Sequence, residues 1–409
     1  MSGFHTPFHV PNRRARSRGE ELLRVNKLAE AEGAYVEEAE IRPHDPRPLV
    51  ASGHLALMRN DLVLADERLS AAIARDRRCR QAHELLAEAS YRRGDFKAAA
   101  SHLEAAGNRA AAAKLRSFGG RRPYDIEGPD TVRLSFVRSD PLPILSARVN
   151  GGPEVSFLLD TGGAEVILDA SFAGAGGVPT FGGERSYFAG GKTARLTHGA
   201  VDSLALGDVV VRNLPVQVLD LAQIGPALGL AHLAGIIGTS LIFRFLATFD
   251  YPAEALILRR KDAEAPASHG AIDVQMQMAD DHFLLVEGQL NDCAPTIFFV
   301  DSGLAGGAFA CPASTLHEAA IERGSSQVVK GRGGGGQMAV WPFDVAVLSV
   351  GQARREGLQG VAGVFPARLE RAYGFRIGGL VSHGFLRAYA VTFDFDRMNL
   401  RLDPGRPNV

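Results

Sequence analysis

VSFLLDTGGAEVIL (155–168) and TIFFVDSGLAGGAF (296–309) are the two stretches that decide how this chain is read. Each runs a series of apolar and β-branched residues straight into an Asp–Thr/Ser–Gly turn, the pattern of a strand that ends in a tight loop. The turns stand 141 residues apart, Thr161 against Ser302, and Asn150 and Asn291 keep the same offset upstream. Downstream the offset settles at 144, where Leu206-Gly207 answers Val350-Gly351 and Phe249-Asp250-Tyr251 answers Phe393-Asp394-Phe395. Agreement on both sides of the motif makes this a duplication, and the small change of offset is what an insertion in a surface loop leaves behind. A duplicated lobe predicts a pseudo-twofold axis that brings equivalent residues face to face. Asp160 and Asp301 are then expected to meet. Two carboxyls at hydrogen-bonding distance share one proton and offer a base and an acid together, enough to drive water onto a carbonyl with no metal and no organic cofactor.

These residues resemble the aspartic peptidase families, both the retroviral type, a dimer of one lobe, and the pepsin type, one chain of two lobes. The resemblance implies that Asp160 and Asp301 are catalytic. It implies that Thr161 and Ser302 tie the two loops together, and that Gly162 and Gly303 permit the turn and leave space beside the water. It covers roughly two thirds of the chain and includes a later apolar pair followed by glycine. AGIIGTSLIF (234–243) fits that element, whereas GGLVSHGFLR (378–387) has Ser382 in the place of Gly238, a departure expected to loosen or alter the second lobe. Leu304, after the second motif, is expected to narrow one side of the cleft. Family lobes also carry a glycine-tipped flap over the substrate. SYFAGGKTARLTHG (186–199) suits it in the first lobe, with Tyr187 or Phe188 covering the peptide and Gly190 and Gly191 at the tip. KGRGGGGQMAVW (330–341) takes the corresponding place in the second, with Gly334 and Gly335 at its tip. Two flaps look more retroviral than pepsin-like, and two motifs in one chain make a monomer sufficient for the active site.

Residues 20–117 are rich in Ala, Leu, Glu and Arg, which favours helix. Leu28, Leu62 and Phe96 recur every 34 residues, as do Ala31, Ala65 and Ala99, and Tyr35, Leu69 and Leu103. The small residue lets paired helices approach and the large one fills the gap between them. RNDLVLADERLSAAIARD (59–76) and RRGDFKAAASHLEAA (92–106) resemble tetratricopeptide repeats, with VNKLAEAEGAYVEEAEIRPHDP (25–46) as a weaker copy. That resemblance implies a concave surface for a peptide or protein partner; the plainer alternative is that the helices only pack on the next domain.

The expected fold is therefore multidomain α + β, an N-terminal helical repeat array followed by an all-β, bilobal, double retropepsin-like acid-protease fold. The expected divisions are a flexible N-terminus (1–19), repeats (20–117), a linker (118–130), lobe 1 (131–262) and lobe 2 (263–409). A formal charge of -1 gives no field for nucleic acid or an anionic membrane surface. Cys79, Cys293 and Cys311 are far apart and form no zinc or disulfide pattern, and no apolar run is long enough for a signal core or a membrane span. A cytoplasmic protein is expected. GRGGGG (331–336) lacks the Lys-Ser/Thr of a phosphate loop, there is no GxSxG, and His198, His282 and His383 have no ligand spacing, so packed or surface histidines are expected and no metal. The function expected is an aspartic endopeptidase whose repeats recruit substrate or partner. The alternatives are a non-catalytic peptide-binding adaptor on the same fold, or a hydrolase trimming one dedicated precursor peptide.

Overall fold

The structure, a computed structural model, describes residues 16–263, 270–322, 328–333 and 335–404. Helices come first: α1 (Arg18–Arg24), α2 (Leu28–Ile41), α3 (Arg47–Met58), α4 (Leu62–Arg75), α5 (Arg80–Arg93), α6 (Phe96–Ala105) and α7 (Arg109–Arg116). α1 begins inside the stretch read as the N-terminus 1–19, because Ser17 and Glu20 form a reciprocal cap. Residues 1–15 lie outside the described residues. Asp61, Asp95 and Asn108 cap α4, α6 and α7 by accepting from the amides of Leu64, Ala98 and Ala111. Leu28, Leu62 and Phe96 open α2, α4 and α6, so the period of 34 is a helical-hairpin period.

Ala31, Ala65 and Ala99 are fully buried, Tyr35 and Leu69 nearly so, and Leu103 is half-buried against the core. The sequence reading missed the partners of the large residues. Gly19, Gly53 and Ala87 share the same spacing on α1, α3 and α5. A Cβ on Gly53 would lie 2.8 Å from Leu69 Cγ, and one on Gly19 would strike the Tyr35 ring. The helices cross closely because one of them presents no side chain at that point.

The strands follow. β1 (Asp125–Glu127) and β2 (Thr131–Ser135) precede β3 (Ile144–Val149), β4 (Glu154–Leu159), β5 (Val166–Asp169), β6 (Thr180–Tyr187), β7 (Thr193–Leu206), β8 (Val209–Leu219) and β9 (Gly235–Ile237). After β10 (Leu246–Asp250), β11 (Ala255–Arg259) and β12 (Ile272–Ala279) come β13 (Phe283–Leu290), β14 (Thr296–Asp301), β15 (Phe309–Ala310), β16 (Val329–Gly333), β17 (Gly336–Val350), β18 (Ala353–Ala362) and β19 (Ile377–Ser382). β20 (Tyr389–Asp394) and β21 (Asn399–Pro404) end the described chain. β1 falls within the stretch read as a linker, where it pairs with β8.

Six strands close on themselves, β7–β8–β5–β9–β4–β3 and back to β7. Six more repeat the circuit, β17–β18–β15–β19–β14–β13 and back to β17. In each ring the same two pairs are parallel: β4 with β9 and β5 with β8, then β14 with β19 and β15 with β18. The inner strands read as nearly continuous apolar runs because both of their faces are covered.

The strands β2, β11, β10, β20, β21 and β12 form one antiparallel ribbon that continues from the second ring through β13. At its centre Thr248 pairs with Thr392, with Ala247 opposite Phe393 and Phe249 opposite Val391. Thr248 and Thr392 are 144 residues apart and their hydroxyls lie 2.8 Å from each other. A residue paired with its own counterpart marks the axis relating the two copies. Phe249 and Phe393 pack beside it with ring centroids 4.9 Å apart.

The helices dock on this body through polar groups as well as apolar ones. Asn60 Nδ2 donates to Phe395 O at 3.1 Å, and Asn26, its counterpart one repeat earlier, donates to Thr296 Oγ1 at 3.2 Å. Arg92 is buried and donates to Leu57 O at 2.7 Å and to Asp280 O at 2.6 Å.

Two glycines separate the packing argument from helix propensity. Gly33 in α2 has open space around it, so Gly33→Ala is expected to stabilise the chain by about 1 kcal/mol. Gly53→Val is expected to destabilise it by about 2 kcal/mol through overpacking against Leu69. Chemical denaturation followed by circular dichroism checks both signs.

Candidate active site

Asp160 follows β4 and Asp301 ends β14, each at the C-terminal end of a strand paired in parallel with its neighbour. The two loops have the same internal geometry. Gly162 N donates to Asp160 Oδ1 at 2.8 Å, and Gly303 N donates to Asp301 Oδ1 at 2.8 Å. A Cβ on Gly162 would lie 2.6 Å from Asp301 Cγ, and one on Gly303 would overlap the Asp160 carboxyl. Each glycine thus makes room for the carboxylate of the other copy, and the structure brings Asp160 and Asp301 together.

Thr161 and Ser302 cross-brace the loops. Thr161 N donates to Ser302 Oγ and Ser302 N donates to Thr161 Oγ1, both at 3.0 Å. The hydroxyls pass the connection on: Thr161 Oγ1 donates to Val300 O at 3.3 Å and Ser302 Oγ to Leu159 O at 3.2 Å. Both side chains are fully buried, so these bonds face no competition from water.

The segments after β9 and β19 buttress the loops from behind. Thr239 Oγ1 donates to Thr161 O at 2.9 Å. A Cβ on Gly238 would collide with the backbone oxygens of Glu165 and Gly163, which explains the glycine. Ser382 at the equivalent place does not loosen its loop. Its hydroxyl lies within 2.6 Å of Asp301 O and 2.9 Å of Leu304 O, a tether that sequence comparison with glycine gave no sign of.

Burial, and then the neighbouring charge of Asp160, push the Asp301 carboxyl well above the usual carboxylate range, and a hydrogen bond to Asp160 adds to the shift. The Gly303 amide acts in the opposite direction.

The two carboxyls open into a cleft of about 870 Å³. Its walls are mainly apolar, among them Leu158, Phe188, Phe299, Leu304 and Leu380. Phe188 lines the cleft and Tyr187 does not, its ring centroid lying 3.1 Å from the guanidinium carbon of Arg368. Gly190 and Gly191 have φ of 68° and 71°, the left-handed turn that glycine adopts without strain. Gly190 N donates to Val364 O at 2.7 Å, so the first hairpin rests on the second copy. Gly335 packs against Lys192, which brings the tip of the β16–β17 hairpin onto the tip of the first; Gly334 lies outside the described residues. Leu304 lines the cleft as expected, and Arg332 lines it too, donating to Gln223 O at 3.3 Å.

Residues 145–241 match the aspartyl protease family. This chain therefore carries an aspartyl-protease segment, one that includes Asp160, the first hairpin and Gly238. Asp301 lies beyond it, in the second copy of the circuit. Among curated proteins no match was found. His198, His282 and His383 are all buried, and among the described residues no group of three or more His, Cys, Asp or Glu is placed to hold a metal.

Five residues after Asp160, Glu165 is buried and meets Lys114 of α7, with Nζ–Oε2 of 2.6 Å and side-chain exposures of 3% and 7%. Tyr91 adds a hydrogen bond to Glu165 at 2.8 Å. Lys114→Met leaves a buried carboxylate without its cation and is expected to cost about 3–5 kcal/mol, most of it recovered in Lys114→Met/Glu165→Gln; a double-mutant cycle measures it.

The raised Asp301 group sets a second expectation. The native state keeps a proton that the unfolded chain releases above the ordinary value of 3.8, so this group lowers stability as pH rises from there. Asp301→Asn is expected to raise Tm at pH 7, and the gain should vanish below about pH 3.8. Thermal unfolding across that range checks it.

Proposed function

We propose that this chain is an aspartic endopeptidase complete in one chain, with two retropepsin-like lobes and Asp160 and Asp301 as its catalytic pair. The observation that carries the reading is the reciprocal Thr161–Ser302 brace, which holds two carboxyls of equivalent origin against each other in one cleft. With Asp301 favouring its protonated form, Asp160 is the carboxylate that takes a proton from water as the water attacks the peptide carbonyl. Asp301 gives its proton to the carbonyl oxygen. The tetrahedral diol then collapses as Asp160 gives its proton to the leaving nitrogen and a hydroxyl of the diol returns a proton to Asp301 while the C–N bond breaks, which restores the shared-proton state. Gly162 and Gly303 hold each carboxylate oxygen by an amide, so little reorganisation accompanies the transfers.

Phe188 and the paired hairpin tips cover the scissile bond and exclude bulk water, and substrate enters when the tips part. Two such hairpins support the retroviral comparison over the pepsin one. The helical hairpins are tetratricopeptide-like and recruit the substrate or a partner, while α5 and α7 brace the catalytic body. Three free cysteines and the lack of a helix long and apolar enough to cross a membrane, among the described residues, fit a cytoplasmic setting.

The test is cleavage of a peptide library by the full chain, read by mass spectrometry, beside Asp160→Asn and Asp301→Asn. Each substitution is expected to lower the rate by about 10²–10⁴-fold or more while peptide binding persists. Cleavage unchanged in both variants overturns the assignment. Binding with no cleavage by the unmodified chain favours an adaptor on the same fold.

A further inference from the structure

The cleft that holds Asp160 and Asp301 is apolar along most of its wall, and the charge it does carry is unevenly placed. Apart from the two aspartates, the charged groups lining it among the described residues are Lys330 and Arg332, both on β16. Two positions apart on an extended strand, they lie on one face of β16, and both are exposed. Gly331 and Gly333 alternate with them and carry no side chain, so the cations dominate what this strand offers a bound peptide. β16 is the outermost strand of its sheet, paired on one side with β17.

Neither cation is neutralised. Arg332 donates to the backbone oxygen of Gln223 at 3.3 Å, an uncharged partner, and neither Arg332 nor Lys330 forms an ion pair among the described residues. Asp220, the acidic residue nearest to Gln223 along the chain, accepts from Ala222 N at 3.0 Å and pairs with neither. The bond to Gln223 carries the Arg332 guanidinium from the second copy across to the first, beside the short helix Ile224–Ala227, whose Ile224 and Ala227 line the same cleft. Two like charges side by side repel, and a carboxylate seated between them removes that repulsion.

We propose that Lys330 and Arg332 form an acid-selecting subsite, so that the preferred substrate is a polypeptide whose Asp or Glu side chain lies between β16 and the helix Ile224–Ala227 while apolar side chains flank the scissile bond. This rests on the reading of the chain as an aspartic endopeptidase. One carboxylate oxygen accepts from Lys330 Nζ and the other from the Arg332 guanidinium. Apolar walls discriminate weakly between side chains of similar size, whereas a paired charge fixes which bond arrives at Asp160 and Asp301. The acidic side chain is remote from the bond being broken, so its contact is equal in the ground and transition states and acts on KM rather than kcat.

A synthetic peptide library tests this in two ways: cleavage by the full chain, and capture by the immobilised Asp160→Asn chain, both read by mass spectrometry. Cleaved and captured peptides are expected to be enriched in Asp or Glu at one position outside the apolar pair at the scissile bond. Lys330→Glu/Arg332→Glu is expected to turn that enrichment into one for Lys or Arg at the same position, and Arg332→Gln to weaken it. In a single cleaved peptide, replacing the acid by its amide is expected to lower kcat/KM by about fivefold or more through KM, a difference that shrinks in high salt. Cleavage with no acidic enrichment, or enrichment that survives the charge reversal, overturns the subsite and leaves the endopeptidase reading standing. Capture of acidic peptides that the reversal abolishes, with no cleavage by the unmodified chain, supports the subsite and overturns the endopeptidase reading. Neither cleavage nor capture overturns both.

Discussion

Two carboxyl groups pressed together in a poorly hydrated cleft repel once both are ionised, so the rest of the structure has to hold them there. The holding element is the exchange of hydrogen bonds between Thr161 and Ser302, in which each amide donates to the hydroxyl of the opposite copy. The bonds are short-range and buried, and they leave neither loop free to retreat without stranding a polar group. Gly162 and Gly303 are required for the same reason, since any side chain there would occupy the place of the opposing carboxylate.

That exchange needs both copies to present the same face to a common axis. The axis is fixed some distance away, in the ribbon where Thr248 pairs with Thr392 and Phe249 packs at a tilt against Phe393. A pairing of identical positions admits one register, because slipping by one residue would turn each inward side chain to the wrong face. Strand pairing at the ribbon and hydroxyl exchange at the loops thus enforce one symmetry at two levels. The motifs sit on strands buried in closed rings, which gives the carboxyls a rigid mounting.

Much of this was legible in the sequence because duplication writes itself as constant offsets. The 141 spacing led to Asp160 and Asp301, and the 144 spacing matched the segments at Phe249 and Phe393, which the structure then pairs through Thr248 and Thr392. The period of 34 gave the helical hairpins and their buried alanines. Less legible was anything that depends on a contact between non-equivalent residues. Ser382 read as a defect because only its difference from glycine was visible, whereas its worth lies in the oxygens of Asp301 and Leu304 nearby. Tyr187 ends β6 and Phe188 follows it, and only Phe188 lines the cleft, so choosing between them required knowing where the cleft lay. The pairing of Lys114 with Glu165 joins a helix to a loop 51 residues later and follows no period.

That last pairing bears on how separable the chain is. Its sequence looks modular, with a helical portion that ends before a β-rich portion begins. Yet Glu165 obtains its counter-ion from α7, and the turn after β12 obtains its donors from Arg92 on α5. Severing the helices would expose an unneutralised carboxylate a few residues from Asp160 and strip the carbonyl of Asp280 of its donor. The helical portion is therefore part of the structural support of the β-rich portion and not a detachable appendage, since its removal takes away groups that buried polar atoms of the strands depend on.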